Sequence, residues 1–201
     1  MLDRLRGSLG AVLASLGRAA SKVIPSPTAW TVVGLLFAFL AFLYYGGGHQ
    51  FVGGLLLAVS GFFDVLDGAV ARATGRISQR GAFLDSTLDR VSEALIFLGI
   101  LAGGYTSPFL VALALSLSLL VSYTRAKGDA LGVNLAGIGV GERSERLVVL
   151  IVTSLLGIVW LGVLIVAFLA LVTFVQRTVT VSRALGRAQK QASTGPAAVP
   201  S

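Results

Sequence analysis

The sequence predicts an all-α membrane protein, with six transmembrane helices behind an N-terminal amphipathic interfacial helix and both termini cytoplasmic. Three observations carry this prediction. Of 201 residues, 55% are hydrophobic and 12% are charged, whereas a soluble domain has about 45–50% apolar and about 25% charged residues. Segments 31–63, 94–124 and 147–176 contain no Asp, Glu, Lys or Arg, and each exceeds the roughly 20 apolar residues that span a bilayer as a helix. Basic residues also fall in alternate connections, as the positive-inside rule requires.

Residues 1–24 form the first unit. Leu2, Leu5, Leu9, Val12, Leu13 and Leu16 recur at helical spacing, with Arg4, Arg6, Arg18 and Lys22 between them. That pattern predicts a helix lying in the membrane interface. The same basic residues interrupt any continuous apolar run, so no cleavable signal peptide is expected. Residues 25–190 form the membrane domain, with helices near 27–46, 50–74, 80–104, 108–131, 143–158 and 160–186. The breaks are Gly46-Gly47-Gly48, the run from Gly103 to Pro108, and a weaker one between Gly157 and Gly162. The short connection after the second span predicts that the second and third spans are antiparallel neighbours. Residues 191–201 are small and Pro-containing, and a disordered tail is expected there. No repeat relates the first three spans to the last three.

The connections 72–80 (Arg72, Arg76, Arg80) and 125–146 (Arg125, Lys127, Arg143, Arg146) are basic, as are both terminal segments. The connections 46–50, 104–108 and 157–162 contain no Lys or Arg. The net charge of +7 is thereby explained by topology, and no nucleic-acid partner is expected. With no cysteine, disulfides, thiolate metal sites and a cysteine nucleophile are excluded.

The candidate active site is acidic. Asp64 and Asp67 are spaced i, i+3 and Asp85 and Asp89 i, i+4, so each pair shares a helix face. The short connection lets all four converge. Burying four carboxylates near a membrane is costly unless protons, arginines or hard cations neutralise them, and Arg72 or Arg90 is placed to pair with two of them. An all-oxygen set suits Mg²⁺ or Mn²⁺. Zinc is not expected, because the lone histidine, His49, lies in an outer connection and reads as an interfacial polar residue.

Residues 64–89 resemble the signature of the CDP-alcohol phosphotransferase family, D-x2-D-G-x2-A-R-x8-G-x3-D-x3-D, at every fixed position. That family transfers a phosphatidyl-type group from a CDP-lipid to an alcohol and releases CMP. The resemblance implies that Asp64, Asp67, Asp85 and Asp89 bind metal and that Asp89 is the general base. It also implies that Gly68, Ala71, Arg72, Ser78 and Gly81 surround the CDP-lipid. The segment from Ser26 to Thr31 resembles one that lines the family's nucleotide site, which adds Thr28 and Thr31 to the CDP-lipid set. Many members have Asn or Asp where Thr28 stands.

Three further segments resemble the phosphatidylinositol phosphate and archaetidylinositol phosphate synthases of that family. They are Ser122-Tyr123-Thr124-Arg125-Ala126-Lys127, Glu142-Arg143-Ser144-Glu145-Arg146 and Val175-Gln176-Arg177. They match S-Y-x-K-A-R, E-R-x-E-R and V-Q-R, with Arg125 where Lys is usual and Lys127 where Arg is usual. The resemblance implies an inositol phosphate acceptor, a diacylglycerol or archaeol donor, and a homodimer in the cell membrane with its active site near the cytoplasmic face. Independently, Arg125, Arg146 and Arg177 fall at the inner ends of the last three spans. Three arginines facing a metal site suit an acceptor that carries phosphate, whereas positive-inside charge alone would not require them to converge. Glycerol phosphate, serine or free inositol are the alternative acceptors. A cation transporter is the alternative class, although transporters usually show repeats and broken helices at the site.

Overall fold

The computed structural model describes residues 2–194; Met1 and residues 195–201 lie outside it. Seven helices and no strand occur among the described residues. They are α1 Leu2–Val23, α2 Pro27–Gly46, α3 Gln50–Thr74, α4 Gln79–Ala102, α5 Pro108–Ala130, α6 Arg143–Leu155 and α7 Val159–Thr194. Local chemistry sets several ends. Pro27 and Pro108 occupy first turns, where a missing N–H costs nothing. The Ser107 hydroxyl accepts from the Leu110 amide at 3.2 Å. Gly75, at φ 65°, closes α3 in the left-handed conformation that favours glycine.

α2 is the organising element. Its buried face is Thr31, Gly34, Ala38, Ala41 and Tyr45, mostly small residues that let neighbouring backbones approach. α2 packs against both α3 and α4, which do not pack closely on one another. This corrects the expectation that the second and third spans are neighbours: the first span lies between them, because its small-residue face can accept a helix on either side. On the α3 side, the Ser60 hydroxyl donates to the Gly34 carbonyl at 2.8 Å. On the α4 side, a Cβ built at Gly99 would lie 2.7 Å from the Phe42 carbonyl oxygen. Gly99→Val should therefore force α2 and α4 apart and destabilise the fold by about 1–3 kcal/mol. Thermal unfolding in detergent measures this, and an unchanged midpoint would refute the contact.

α1 docks on α3. A Cβ at Gly17 would meet the Ala69 carbonyl oxygen at 2.5 Å, while Val12, Leu16 and Val23 remain exposed. The predicted interfacial helix is thus also braced against the rest of the protein. Trp30 Nε1 donates to the Ile24 carbonyl at 3.0 Å, and Arg76 donates to that of Pro25 at 3.1 Å. The first bond closes the α1–α2 corner, and the second joins that corner to the α3–α4 connection.

The opposite end of the bundle is neutral. Tyr45 and Ser154 share a hydroxyl hydrogen bond of 2.6 Å, and Tyr105 donates to the Tyr45 carbonyl at 3.0 Å. Gln50 donates to the Gly157 carbonyl at 2.9 Å and accepts from the Val159 amide at 3.2 Å.

The outer surface is apolar, with Leu36, Phe39, Phe62, Leu98, Leu164 and Phe168 among its exposed side chains. Four helices are long and apolar enough to cross a membrane: α2, α3, α5 and the 159–189 part of α7. α4 carries all its charges between Arg80 and Glu93. α6, with 13 residues, is about 20 Å long, less than the roughly 30 Å bilayer core. α7 continues to Thr194, past the predicted end at 186, because Ala, Arg, Gln and Lys sustain a helix and no Pro intervenes before Pro196. Residues 191–194, predicted as tail, are helical.

Candidate active site

α3 and α4 bring three carboxylates together. One oxygen from each of Asp64, Asp67 and Asp85 lies within 4.8 Å of the others. Because α2 separates the two helices, these oxygens converge across a gap rather than along a packed seam. Asp67 is the most enclosed, at 6% exposure, and its Oδ2 accepts from the Thr31 hydroxyl at 2.7 Å. Thr31, expected to touch the CDP-lipid, orients a carboxylate of the triad. Hard oxygen donors at this spacing fit Mg²⁺ or Mn²⁺. His49, the only histidine, precedes α3 at the opposite end of the bundle.

Asp89 lies outside this close set. Its Oδ1 accepts from Arg143 at 2.9 Å and its Oδ2 from Arg90 at 3.4 Å. Arg143 also donates to Asp64 Oδ2 at 2.8 Å. A single guanidinium therefore bridges Asp64 and Asp89. Of the two arginines expected as ion-pair partners, Arg90 is engaged with Asp89, while Arg72 is exposed on α3 beside Gly68.

Thr28 stands half-buried in the first turn of α2. Gly68, Ala71 and Arg72 follow the aspartates along α3. Ser78 caps α4 by accepting from the Gly81 amide at 3.0 Å, so its oxygen is partly committed to the fold. A Cβ at Gly81 would approach that oxygen to 3.1 Å, which explains a glycine in the first turn.

Beyond Asp89 opens a cleft of about 1020 Å³ whose lining includes Ser122, Tyr123, Arg125, Glu142, Arg143, Arg146 and Arg177. The three predicted arginines thus do line one cavity, but two are heavily engaged. Arg146, 1% exposed, donates to Glu93 at 2.7 and 3.2 Å and to the Gly141 carbonyl at 2.7 Å. Arg177, also buried, donates to the Ile138 and Val121 carbonyls at 2.8 and 3.0 Å and to Glu142 at 3.3 Å. It ties α7 to α5 and to the 131–142 connection. Arg125 is 45% exposed along its side chain and lies 3.9 Å from Glu142.

Sequence reasoning missed Arg143, Glu142 and Glu93 as site residues. Glu93 had a readable signal, since residues 85, 89 and 93 recur at i, i+4 on one face of α4. Arg143 and Glu142 lay inside a segment already singled out, but nothing in spacing indicated which acid Arg143 would meet.

Seven helices among the described residues, with a carboxylate triad at one end and an arginine-lined cleft beside it, match a known class. The family model for CDP-alcohol phosphatidyltransferases covers residues 25–140, and the chain belongs to this family. It is therefore a multi-pass membrane enzyme. Among curated relatives, an archaetidylinositol phosphate synthase of Pyrococcus horikoshii is 39% identical, over 88% of this chain and 94% of that protein. A phosphatidylinositol phosphate synthase of Streptomyces avermitilis is 40% identical, over 71% and 66%. The crystal structure of the Mycobacterium tuberculosis phosphatidylinositol phosphate synthase with CDP-DAG bound superposes at a TM-score of 0.75 with 27% identity, covering 85% of this chain and 94% of that one.

Proposed function

We infer that this protein transfers a phosphatidyl-type group, on diacylglycerol or archaeol, from a CDP-lipid to inositol phosphate and releases CMP. The observation that carries the acceptor assignment is the arginine-lined cleft opening on Asp89, beside the carboxylate triad. An acceptor with its own phosphate would use Arg125 for charge, within a frame that Arg146 and Arg177 hold rigid. Serine or free inositol would leave that cationic wall without a partner. The synthase names of its relatives support the same reading.

Asp64, Asp67 and Asp85 would hold a divalent ion; a structure of the M. tuberculosis relative is a complex with manganese and citrate. Such an ion neutralises diphosphate charge and polarises phosphoryl oxygens. Thr31 fixes the Asp67 carboxylate. Gly68 and Gly81 leave backbone accessible to the nucleotide, with Thr28, Ala71, Arg72 and Ser78 around it. Asp89 takes the proton of the acceptor hydroxyl, the hydroxyl oxygen attacks the lipid-bearing β-phosphorus, and CMP departs. We further assign six spans, α2 to α7, in which the short α6 runs only from the polar site to the neutral end, with both termini and the site on the cytoplasmic side of the cell membrane. The absence of Lys and Arg in the neutral-end connections supports this orientation, and the family resemblance implies a homodimer.

Mass spectrometry of the lipid formed from CDP-lipid and each candidate acceptor tests the function. A phosphatidyl- or archaetidyl-inositol phosphate is expected, and exclusive use of serine or glycerol phosphate would overturn the assignment. Arg125→Ala tests the cleft with less structural cost than Arg177→Ala, which would also orphan two backbone carbonyls. One charge-assisted hydrogen bond is worth roughly 1.5–3 kcal/mol. KM for inositol phosphate should therefore rise at least about tenfold, with KM for the CDP-lipid nearly unchanged. Equal changes in both would return Arg125 to a topological role.

A further inference from the structure

Arg143 has a role that the transfer reaction does not assign. It is the first residue of α6, a position where the helix dipole disfavours a cation, so helix stability does not explain it. Its side chain, 21% exposed, reaches Asp64 at 2.8 Å and Asp89 at 2.9 Å. Its Nε is buried without a hydrogen-bond partner, so this seat leaves one donor unmade. The same residue lines the arginine cleft. It is mounted directly after a connection in which Gly137 and Gly139 adopt positive φ.

We propose that Arg143 is a built-in counter-cation. Paired with Asp64 and Asp89 it closes the carboxylate site, and a divalent ion competes with it and displaces it toward the acceptor cleft. A guanidinium and a divalent ion held on the same Asp64 carboxylate repel one another. Loading the donor side then frees the Asp89 oxygen needed for the acceptor hydroxyl and adds a positive charge where the acceptor's phosphate docks. Metal and acceptor binding become coupled, each strengthening the other by the same factor. Arg143 is a positioning residue in this scheme, acting through Asp89 and through the charge of the cleft.

The proposal rests on the metal reading above, and the two fail separately. The test is Mn²⁺ binding to the purified full-length protein in detergent, followed by electron paramagnetic resonance, for wild type, Arg143→Gln, Arg143→Lys and Asp67→Asn. Removing a unit charge next to a divalent site should tighten Mn²⁺ binding in Arg143→Gln at least about tenfold. Arg143→Lys should remain near wild type, because the charge stays. In wild type, inositol phosphate should lower the Kd for Mn²⁺, and Arg143→Gln should erase that effect. Unchanged or weaker Mn²⁺ binding in Arg143→Gln would overturn the counter-cation role, provided Asp67→Asn abolishes binding. Mn²⁺ binding indifferent to Asp67→Asn would overturn the metal site itself. If Arg143→Gln does not fold, Arg143→Lys and the wild-type coupling decide: no effect of inositol phosphate on the wild-type Kd for Mn²⁺ would overturn the proposal.

Discussion

Asp67→Asn is expected to abolish turnover while leaving the protein folded and membrane-inserted. Asp67 is the most buried of the three carboxylates and the one fixed by a neutral donor, Thr31 at 2.7 Å. The amide keeps the shape and an oxygen able to accept that bond, so the fold has little reason to fail. What disappears is a negative charge that neither Asp64, already shared with Arg143, nor Asp85 can replace. A hard divalent ion holds to its site largely by ligand charge. Activity should therefore fall below detection, as it should for wild type in excess EDTA. Activity that survives EDTA would remove the metal from the reaction. Thr31→Val provides a graded comparison, since it keeps the charge and loses only the orienting bond. It should impair turnover measurably but far less.

The next largest effect belongs to Asp89→Asn. Asp89 stands apart from the close triad and faces the cleft proposed for the acceptor, which suits a proton acceptor better than a principal metal ligand. General-base catalysis is worth about 10²–10⁴-fold, so kcat should fall by that amount, with CDP-lipid binding little changed. A retained Mn²⁺ signal in this variant would separate the base from the ligands. A kcat near the wild-type value would refute the base assignment, and loss of Mn²⁺ binding would move Asp89 into the metal set that the family signature implies.

The helices were legible because apolar runs, prolines and glycines define them locally. Predicted and observed limits differ by a few residues except at the end of α7, where composition favoured a longer helix. Which helices touch was less legible. A short connection after α3 argued for direct packing with α4, but the Gly34, Ala38 and Ala41 face of α2 won both contacts. The aspartates could be read because their spacing is a property of single helices. The functions of Arg146 and Arg177 were only half readable. Their placement along the cleft follows from helix ends, whereas their commitments to Glu93, Gly141, Ile138 and Val121 depend on how a twelve-residue connection, 131–142, folds back onto α7. The 2.9 Å bond from the Gly141 amide to Thr173 Oγ1 shows that fold-back, and no periodicity announces it.

The exposed apolar side chains that flank the triad have a kinetic consequence. Phe62 and Val65 on α3 and Phe83 and Val91 on α4 surround carboxylates that must meet a polar head group. The donor can present that head group while its chains stay among neighbouring lipids. Its effective concentration is then a mole fraction in two dimensions, and adding inert lipid or detergent dilutes it without changing the bulk amount. The water-borne acceptor is insensitive to such dilution. Velocity plotted against bulk donor concentration should thus give a different apparent KM at each detergent level, and the curves should collapse onto one when donor is expressed per total amphiphile.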